Sequence, residues 1–156
     1  MDEIDVLSGL LVAEKIYHKG RIDSVSLRRR IGTGNATVLR EGGNIICFGA
    51  LWPTNALLVE LGTIYVHPDK RGNGYQQEIV NGLLALVPGG MRPFFITNNG
   101  CLMKIARQNG FAPITTGTYP DILMCAVRAG IVCRLPPSIH SEEAIPVPGE
   151  RWFFMR

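Results

Sequence analysis

Charge is scarce in this sequence and forms no dense patch of one sign. Only 19% of the residues are charged, and 16 Lys and Arg against 13 Asp and Glu leave a formal net charge of +3. That balance suits an anionic ligand, but it falls short of the basic stripe of a dedicated nucleic-acid binder. We therefore expect no nucleic-acid partner and interpret the run Arg28–Arg30 as a solvated face.

Long hydrophobic runs are also missing. The apolar stretch Leu7–Ala13 is far too short to span a bilayer, and it follows the acidic residues Asp2, Glu3 and Asp5. A secretory signal would need basic residues at that place. The sequence therefore predicts no membrane partner, no export signal and a cytoplasmic protein.

Paired cysteines are absent as well. The four cysteines are widely spaced and form no CxxC pair: Cys47, Cys101, Cys125 and Cys133. Zinc ligands and disulfide frameworks depend on closer or regular spacing, so we expect free, buried thiols and no metal site. The 46% of hydrophobic residues can instead build an ordinary core.

Hydrophobic periodicity and turn residues predict alternating helices and strands. Helices are expected over 2–19, 24–30, 74–87 and 99–109, and strands over 35–40, 45–51, 56–66, 93–96, 111–115 and 152–155. Residues 52–55 are interpreted as a turn, 122–129 as a further helical stretch and 135–148 as a proline-rich loop. This order predicts a single α/β domain over 1–156, with helices on the faces of a sheet.

The segment between the third strand and the third helix has the features of an anion site. It reads His67-Pro68-Asp69-Lys70-Arg71-Gly72-Asn73-Gly74-Tyr75-Gln76. Glycines at Gly72 and Gly74 let successive backbone N–H groups converge on one anion, and the following helix directs its unpaired N–H groups there. Such turns also occur merely to redirect the chain, so spacing alone leaves both interpretations open.

Here the sequence resembles the GNAT acetyltransferase superfamily, whose signature is a strand ending V-x-P followed by R-G-x-G-x-G/A. Val66, Pro68, Arg71, Gly72 and Gly74 fit, whereas Gln76 replaces the last small residue. The resemblance implies a GNAT fold, which has a mixed, mostly antiparallel, splayed sheet flanked by helices. It also implies acetyl-CoA as cosubstrate. The residues implied to bind it are Arg71, Gly72, Asn73, Gly74, Tyr75 and Gln76 for the pyrophosphate, and Tyr65 and Val66 for the pantetheine arm.

A second patch supports the same resemblance, which covers about residues 36–111. The family motif N-x-x-A-x-x-L-Y-x-x-x-G-F is matched at Asn99, Leu102, Ile105, Ala106, Gly110 and Phe111. Asn99 corresponds to a residue that often hydrogen-bonds pantetheine. Ala106 stands where the family commonly has the tyrosine that protonates the leaving thiolate, so the general acid stays unassigned, with Tyr75 and Tyr119 as alternatives. Residues 117–156 are atypical for the family.

The candidate general base is Glu60, in the apolar run Val59–Leu61 of the strand that leads to the loop. Burial of a lone carboxylate would raise its pKa and make it a better base near neutral pH. Many GNAT enzymes have a glutamate in that role. The alternative is a solvent-facing side chain on an alternating strand.

The leading hypothesis is therefore an N-acetyltransferase that acetylates a primary amine. The acceptor is open among small amines, antibiotics, protein N-termini and lysines, and a homodimer is also left open. Because of Ala106 and Gln76, a GNAT-fold module that binds CoA or acyl-CoA without turnover is the alternative. The run Arg28–Arg30 would, if functional, contact the CoA 3′-phosphate or an acidic substrate. A nucleic-acid-binding protein is the third hypothesis.

Overall fold

The structure is a computed structural model, and it describes residues 2–14, 21–54, 56–97 and 99–113 and the backbone strand 152–155. The stretches predicted at 122–129 and 135–148 lie outside the described residues, as do Tyr119, Cys125 and Cys133. The chain divides into two compact units, Met1–Trp52 with Leu61–Val87 and Pro53–Glu60 with Pro88–Arg156.

Two helices open the first unit. Helix α1 is Glu3–Ala13 and helix α2 is Ser24–Gly32. Each is capped by an aspartate whose carboxylate accepts backbone N–H groups, Asp2 for α1 and Asp23 for α2, as N-cap residues do. Helix α1 ends at Ala13, earlier than the helix predicted over 2–19, and residues 15–20 lie outside the described part.

A β-hairpin follows the helices. Strand β1 is Ala36–Glu41 and strand β2 is Asn44–Pro53, and they pair antiparallel around a Gly42-Gly43 turn, as the sequence indicated. The prediction of a turn over 52–55 was wrong at its start, because β2 continues through Trp52 and Pro53. Trp52 is 6% exposed, so burial of its large apolar ring extends the strand into the core.

The core of the first unit lies between α1, α2 and the sheet. Leu7, Leu11, Leu27, Phe48 and Tyr65 are fully buried in it. Their removal from water is the main favourable term in holding the helices to the strands. Ion pairs between Arg28 and two aspartates, Asp2 and Asp5, join α1 to α2 at the surface.

Strand β3, Leu58–Val66, continues through a 3-10 turn at Pro68–Lys70 into helix α3, Tyr75–Leu86. The first unit has the strand order β1-β2-β3. Helix α3 packs very closely on this sheet at two glycines. A Cβ at Gly49 of β2 would lie 2.5 Å from Ile79 Cγ2, and a Cβ at Gly82 of α3 would lie 2.7 Å from the Thr37 side chain.

The second unit contains the beginning of β3 and the later elements. Strand β4 is Arg92–Thr97, helix α4 is Gly100–Gln108, strand β5 is Ala112–Pro113 and strand β6 is Trp152–Met155. The strand order is β3-β4-β6-β5. Leu58–Glu60 pair in parallel with β4, and β6 is antiparallel to both β4 and β5.

The predicted fold class is confirmed: helices flank a mixed and mostly antiparallel sheet. The single domain over 1–156 stays a prediction. Within the described ranges, no helix combines the length and apolar character needed to cross a bilayer.

Candidate functional site

The loop between β3 and α3 has the backbone shape that the sequence suggested. Gly72 and Gly74 have φ values of +77° and +82°, a backbone region that residues with a Cβ rarely adopt. A Cβ added at either glycine would meet no atom of the described residues within 4 Å, its two chain neighbours aside. The space in front of both residues is therefore open, as a bound anion requires.

The start of α3 is free to bind such an anion. Gly74 is its N-cap residue and has no side chain to accept from the first-turn N–H groups. Those groups and the positive end of the helix dipole favour a phosphate there. The Asn73 side chain stabilises the loop, because its Nδ2 donates to the carbonyl oxygens of Lys70, at 3.3 Å, and Arg71, at 3.2 Å.

Both basic side chains of the loop already have carboxylate partners. Lys70 forms an ion pair with Glu41, which raises the pKa of the lysine. The Arg71 guanidinium lies 2.6 Å from a carboxylate oxygen of Glu14, and its Nε donates to the Val66 carbonyl at 3.2 Å. Charge at this loop is thus largely compensated. The Arg71 N–H already donates to the Pro68 carbonyl oxygen at 3.2 Å, so the backbone amides best placed to hold a pyrophosphate are those of residues 72–76.

Tyr65 and Val66, the predicted pantetheine contacts, have buried side chains. Tyr65 has no solvent exposure, and burial raises the pKa of its phenol. Its hydroxyl finds no hydrogen-bond partner within the described part of the chain. The ring therefore belongs to the core of the first unit, and only the backbone of Tyr65 is suited to meet a ligand.

Glu60 and Asn99, the other predicted site residues, belong to the second unit. Glu60 is 5% exposed, so the alternative of a solvent-facing carboxylate was wrong. Asn99 caps α4, where its Oδ1 accepts from Cys101 N at 2.9 Å and Leu102 N at 3.2 Å. That cap occupies the oxygen of Asn99 and leaves its Nδ2 as the group that could donate to a ligand.

The position of the missing tyrosine is an apolar one. Ala106 is fully buried on α4. Cys101 of the same helix is exposed, so the prediction of a buried thiol was wrong there. It held for Cys47, whose thiol pKa is raised to about 11 by burial and by the charge of Glu78.

The sequence did not reveal a cluster around Trp52. The guanidinium carbons of Arg21 and Arg30 lie 4.7 and 4.6 Å from the ring centroid, and the indole N–H donates to Thr63 Oγ1 at 2.9 Å. The interpretation of Arg28–Arg30 as a solvated face was therefore wrong for Arg30, which is half-buried. Thr63 has a φ of +53° within β3, and no residue pattern indicated it.

The described residues contain no group of three or more His, Cys, Asp or Glu that could hold a metal ion. No protein-family model and no curated protein matches the sequence.

Solved structures do match the fold. One is the Neisseria gonorrhoeae N-acetylglutamate synthase complexed with coenzyme A and N-acetyl-glutamate, at 18% identity and a TM-score of 0.63. The match covers 98% of this chain and 31% of the synthase, so the chain spans about a third of that protein. A Mycobacterium tuberculosis protein in complex with CoA has 18% identity and a TM-score of 0.64, over 98% of this chain and 92% of that one.

A third match is a Xanthomonas campestris protein assigned to the GNAT family, at 22% identity and a TM-score of 0.56. It covers 78% of this chain and 82% of that one. At such identities the likeness establishes the fold, and the chain has the fold of these GNAT proteins.

Proposed function

We propose that this chain, with its GNAT fold, is an N-acetyltransferase that transfers the acetyl group of acetyl-CoA to a primary amine. The observation that carries the proposal is the loop Arg71–Gln76, where two glycines at positive φ leave open space in front of an uncapped helix start. A pyrophosphate fits such a site because it accepts several converging N–H groups. The CoA complexes of two proteins with the same fold support this choice of ligand.

The residues that would act on the substrates lie along β3. The backbone N–H of Val66 would donate to the thioester carbonyl oxygen and stabilise the charge that develops there. Glu60, on the same strand, would accept the proton of the acceptor ammonium, directly or through water. The amine nitrogen then bonds to the carbonyl carbon, the C–S bond breaks and the CoA thiolate leaves. Asn99 would donate to the pantetheine arm through Nδ2.

A non-catalytic CoA- or acyl-CoA-binding module is the second candidate, and buried Ala106 favours it because an alanine cannot donate a proton. However, a thiol with a pKa of about 8.5 gives a stable thiolate, so the CoA sulfur can leave without being protonated by an acid residue. Two expectations stay predictions: that the protein binds no nucleic acid and that it is cytoplasmic. Whether it forms a homodimer stays open.

Two measurements test the proposal. Calorimetric titration with acetyl-CoA and with CoA should give saturable binding, and a titration without binding at millimolar ligand would refute both candidates. Free thiol released from acetyl-CoA in the presence of an amine panel, with acetylated products identified by mass spectrometry, should then separate the enzyme from the module. Binding without product from any amine would favour the module.

A further inference from the structure

A cavity of about 350 Å³ lies in the first unit, beside the segment that leads from β3 to the loop before α3. Three parts of this unit line it: helix α1, the residues around the β1–β2 turn, and residues 67–70. Pockets that bind small molecules begin at about 300 Å³, so the cavity has room for one small ring system. We call it the α1 cavity. The steps of the proposed reaction make no use of it.

One part of the α1 cavity is aliphatic. Val6 and Leu10 are four residues apart on α1, so they lie on the same side of the helix, one turn apart. Ile45 and Ile46 of β2 also line the cavity. Val6 is 41% exposed, so part of this apolar surface is still in contact with water. A planar ring placed against it would remove that surface from water, which is favourable.

Two polar side chains of the cavity are suited to hydrogen-bond a neutral ring. Asn44 makes no side-chain hydrogen bond within the described part of the chain, so its amide offers both a donor and an acceptor. The Nδ1 of His67 accepts the Asp69 N–H at 3.3 Å, which leaves the proton of a neutral imidazole on Nε2 as another donor. Adenine is complementary, because its N6 amino group and N7 pair with both groups of a carboxamide at once.

The charged groups at the rim of the α1 cavity are mostly balanced in pairs and are not proposed to contact the ring. Glu41 pairs with Lys70, and Glu3 pairs with Arg40. The carboxylate of Asp69 remains, and its side chain is 85% exposed. An anionic ligand would be repelled by these carboxylates, and a cationic one would gain little from a single exposed carboxylate. The balance therefore favours a neutral ligand.

The α1 cavity adjoins the proposed pyrophosphate site. Lys70 lines the cavity, and Gly72 is the first residue whose amide is proposed to hold the phosphates. Two residues of chain span at most about 7 Å, so the two sites are close together. In CoA a single ribose joins the adenine base to the pyrophosphate. A base bound in the cavity therefore stays within reach of phosphates bound at residues 72–76.

We propose that the α1 cavity binds the adenine base of acetyl-CoA. This inference rests on the proposed function, because it adds a binding site for the cosubstrate of that enzyme. The base would lie against Val6 and Leu10, and the Asn44 amide would accept from the N6 amino group and donate to N7. The adenosine end of the cosubstrate would then contribute to affinity instead of extending into solvent.

An acetyl-CoA analogue that carries hypoxanthine in place of adenine tests how the base is recognised. It keeps the pyrophosphate and the pantetheine arm but has an oxygen acceptor where adenine has the N6 amino donor. Asn44 could then satisfy only one of the two positions, so calorimetric titration should show binding about tenfold weaker than that of acetyl-CoA. In Asn44→Ala the two ligands should differ less than about twofold. Equal affinities for the wild type would overturn the inference, and so would a tenfold preference that persists in Asn44→Ala.

Two exposed valines of α1 provide a matched pair of variants. Val6→Asp places a carboxylate against the base and should weaken acetyl-CoA binding about tenfold, because that charge would be removed from water. Val12→Asp makes the same change on the same helix at a side chain that is 53% exposed and does not line the cavity. It should change the affinity less than about twofold. Thermal unfolding checks that both variants fold, and equal losses in the two would contradict a base site at Val6.

The outcomes separate this inference from the proposed function. If acetyl-CoA binds, and neither the hypoxanthine analogue nor Val6→Asp lowers the affinity, the base site is wrong and the enzyme proposal stands. If neither acetyl-CoA nor CoA binds at millimolar concentration, the enzyme proposal fails. Titration with adenosine alone then decides about the α1 cavity: saturable binding that is lost in Asn44→Ala would retain the base site, and no binding would overturn it.

Discussion

The first unit has two basic regions, and their cations have different neighbours. At the loop before α3, Lys70 and Arg71 are each matched by a carboxylate, from Glu41 and Glu14. Around Trp52, the guanidiniums of Arg21 and Arg30 lie against an aromatic ring. The number of basic residues alone does not distinguish the two regions.

The pairing of Lys70 and Arg71 with carboxylates bears on which groups of the loop would bind an anion. If the loop binds an anion, as we propose, backbone N–H groups and the helix dipole would supply most of the attraction, because their strength does not depend on side-chain pairing. Substitutions that change backbone and side chain separately can break or sharpen this contrast.

The largest effect is expected from the backbone of the loop. Gly74→Val places a β-branched residue at φ +82° and puts a side chain in the open space before α3. Losing about two charge-assisted hydrogen bonds, each worth about 1.5–3 kcal/mol, should weaken acetyl-CoA binding about a hundredfold or more. Calorimetric titration measures this loss.

Gly90→Val is the matched control, since Gly90 also has a positive φ of 84° and free space around it, but lies outside the loop. It should impose similar backbone strain and leave acetyl-CoA affinity unchanged. Normal binding by Gly74→Val would place the phosphate site elsewhere.

A smaller and purely kinetic effect is expected at Glu60, which belongs to neither basic region. Glu60→Gln should lower the turnover number about a hundredfold, at the low end for removal of a general base, with nearly unchanged acetyl-CoA affinity. The loss should shrink as the pH rises, because the amine then deprotonates without help. Initial rates over pH 6 to about 10 with an identified acceptor measure both.

The control for Glu60 is Glu3→Gln, the same chemical change at a carboxylate that pairs with Arg40. It should leave the turnover number unchanged. A joint loss of acetyl-CoA affinity and turnover in Glu60→Gln would instead identify a structural carboxylate, and so would wild-type rates at every pH.

The smallest effects are expected from the paired charges of the loop. The Arg71 guanidinium is already paired with Glu14. Arg71→Gln should therefore weaken acetyl-CoA binding only about threefold, a free-energy change in the range measured for exposed ion pairs. Glu14→Gln should strengthen it by up to about threefold, because the guanidinium is then released toward the phosphates. Both changes should fade at high salt, as titrations at two ionic strengths would record. A hundredfold loss in Arg71→Gln would show that the side chain, rather than the backbone, holds the anion.

Local signals were sufficient to predict most of the fold. Asp23 and Asn99 indicated where α2 and α4 begin, because an N-cap acts within three residues of itself. The end of β2 was missed, since Trp52-Pro53 is typical of a turn and only the burial of the indole by distant helices makes it a strand. The same limit applied to α1, whose periodic pattern continues beyond Ala13 although the helix does not.

The candidate site was predictable only where its parts are adjacent in sequence. The loop Arg71–Gln76 is contiguous, so its glycines and the following helix could be recognised together. The contacts of Trp52 join residues from a turn, a helix and a second strand, and nothing in the separate segments indicates that they meet. Glu60 could be named from its apolar neighbours, but its burial is decided by residues far along the chain.

The two close contacts beneath α3 have a consequence for attempts to stabilise this protein. Replacing a glycine in the middle of a helix or strand by alanine usually gains about 0.5–1 kcal/mol. At Gly82 the new methyl group would meet Thr37 at 2.7 Å, and at Gly49 it would meet Ile79 at 2.5 Å. Either change would push α3 away from the sheet and shift the helix start that we propose to bind the phosphates. The two glycines at which an alanine would be expected to raise stability are thus the ones that fix the distance between α3 and the sheet.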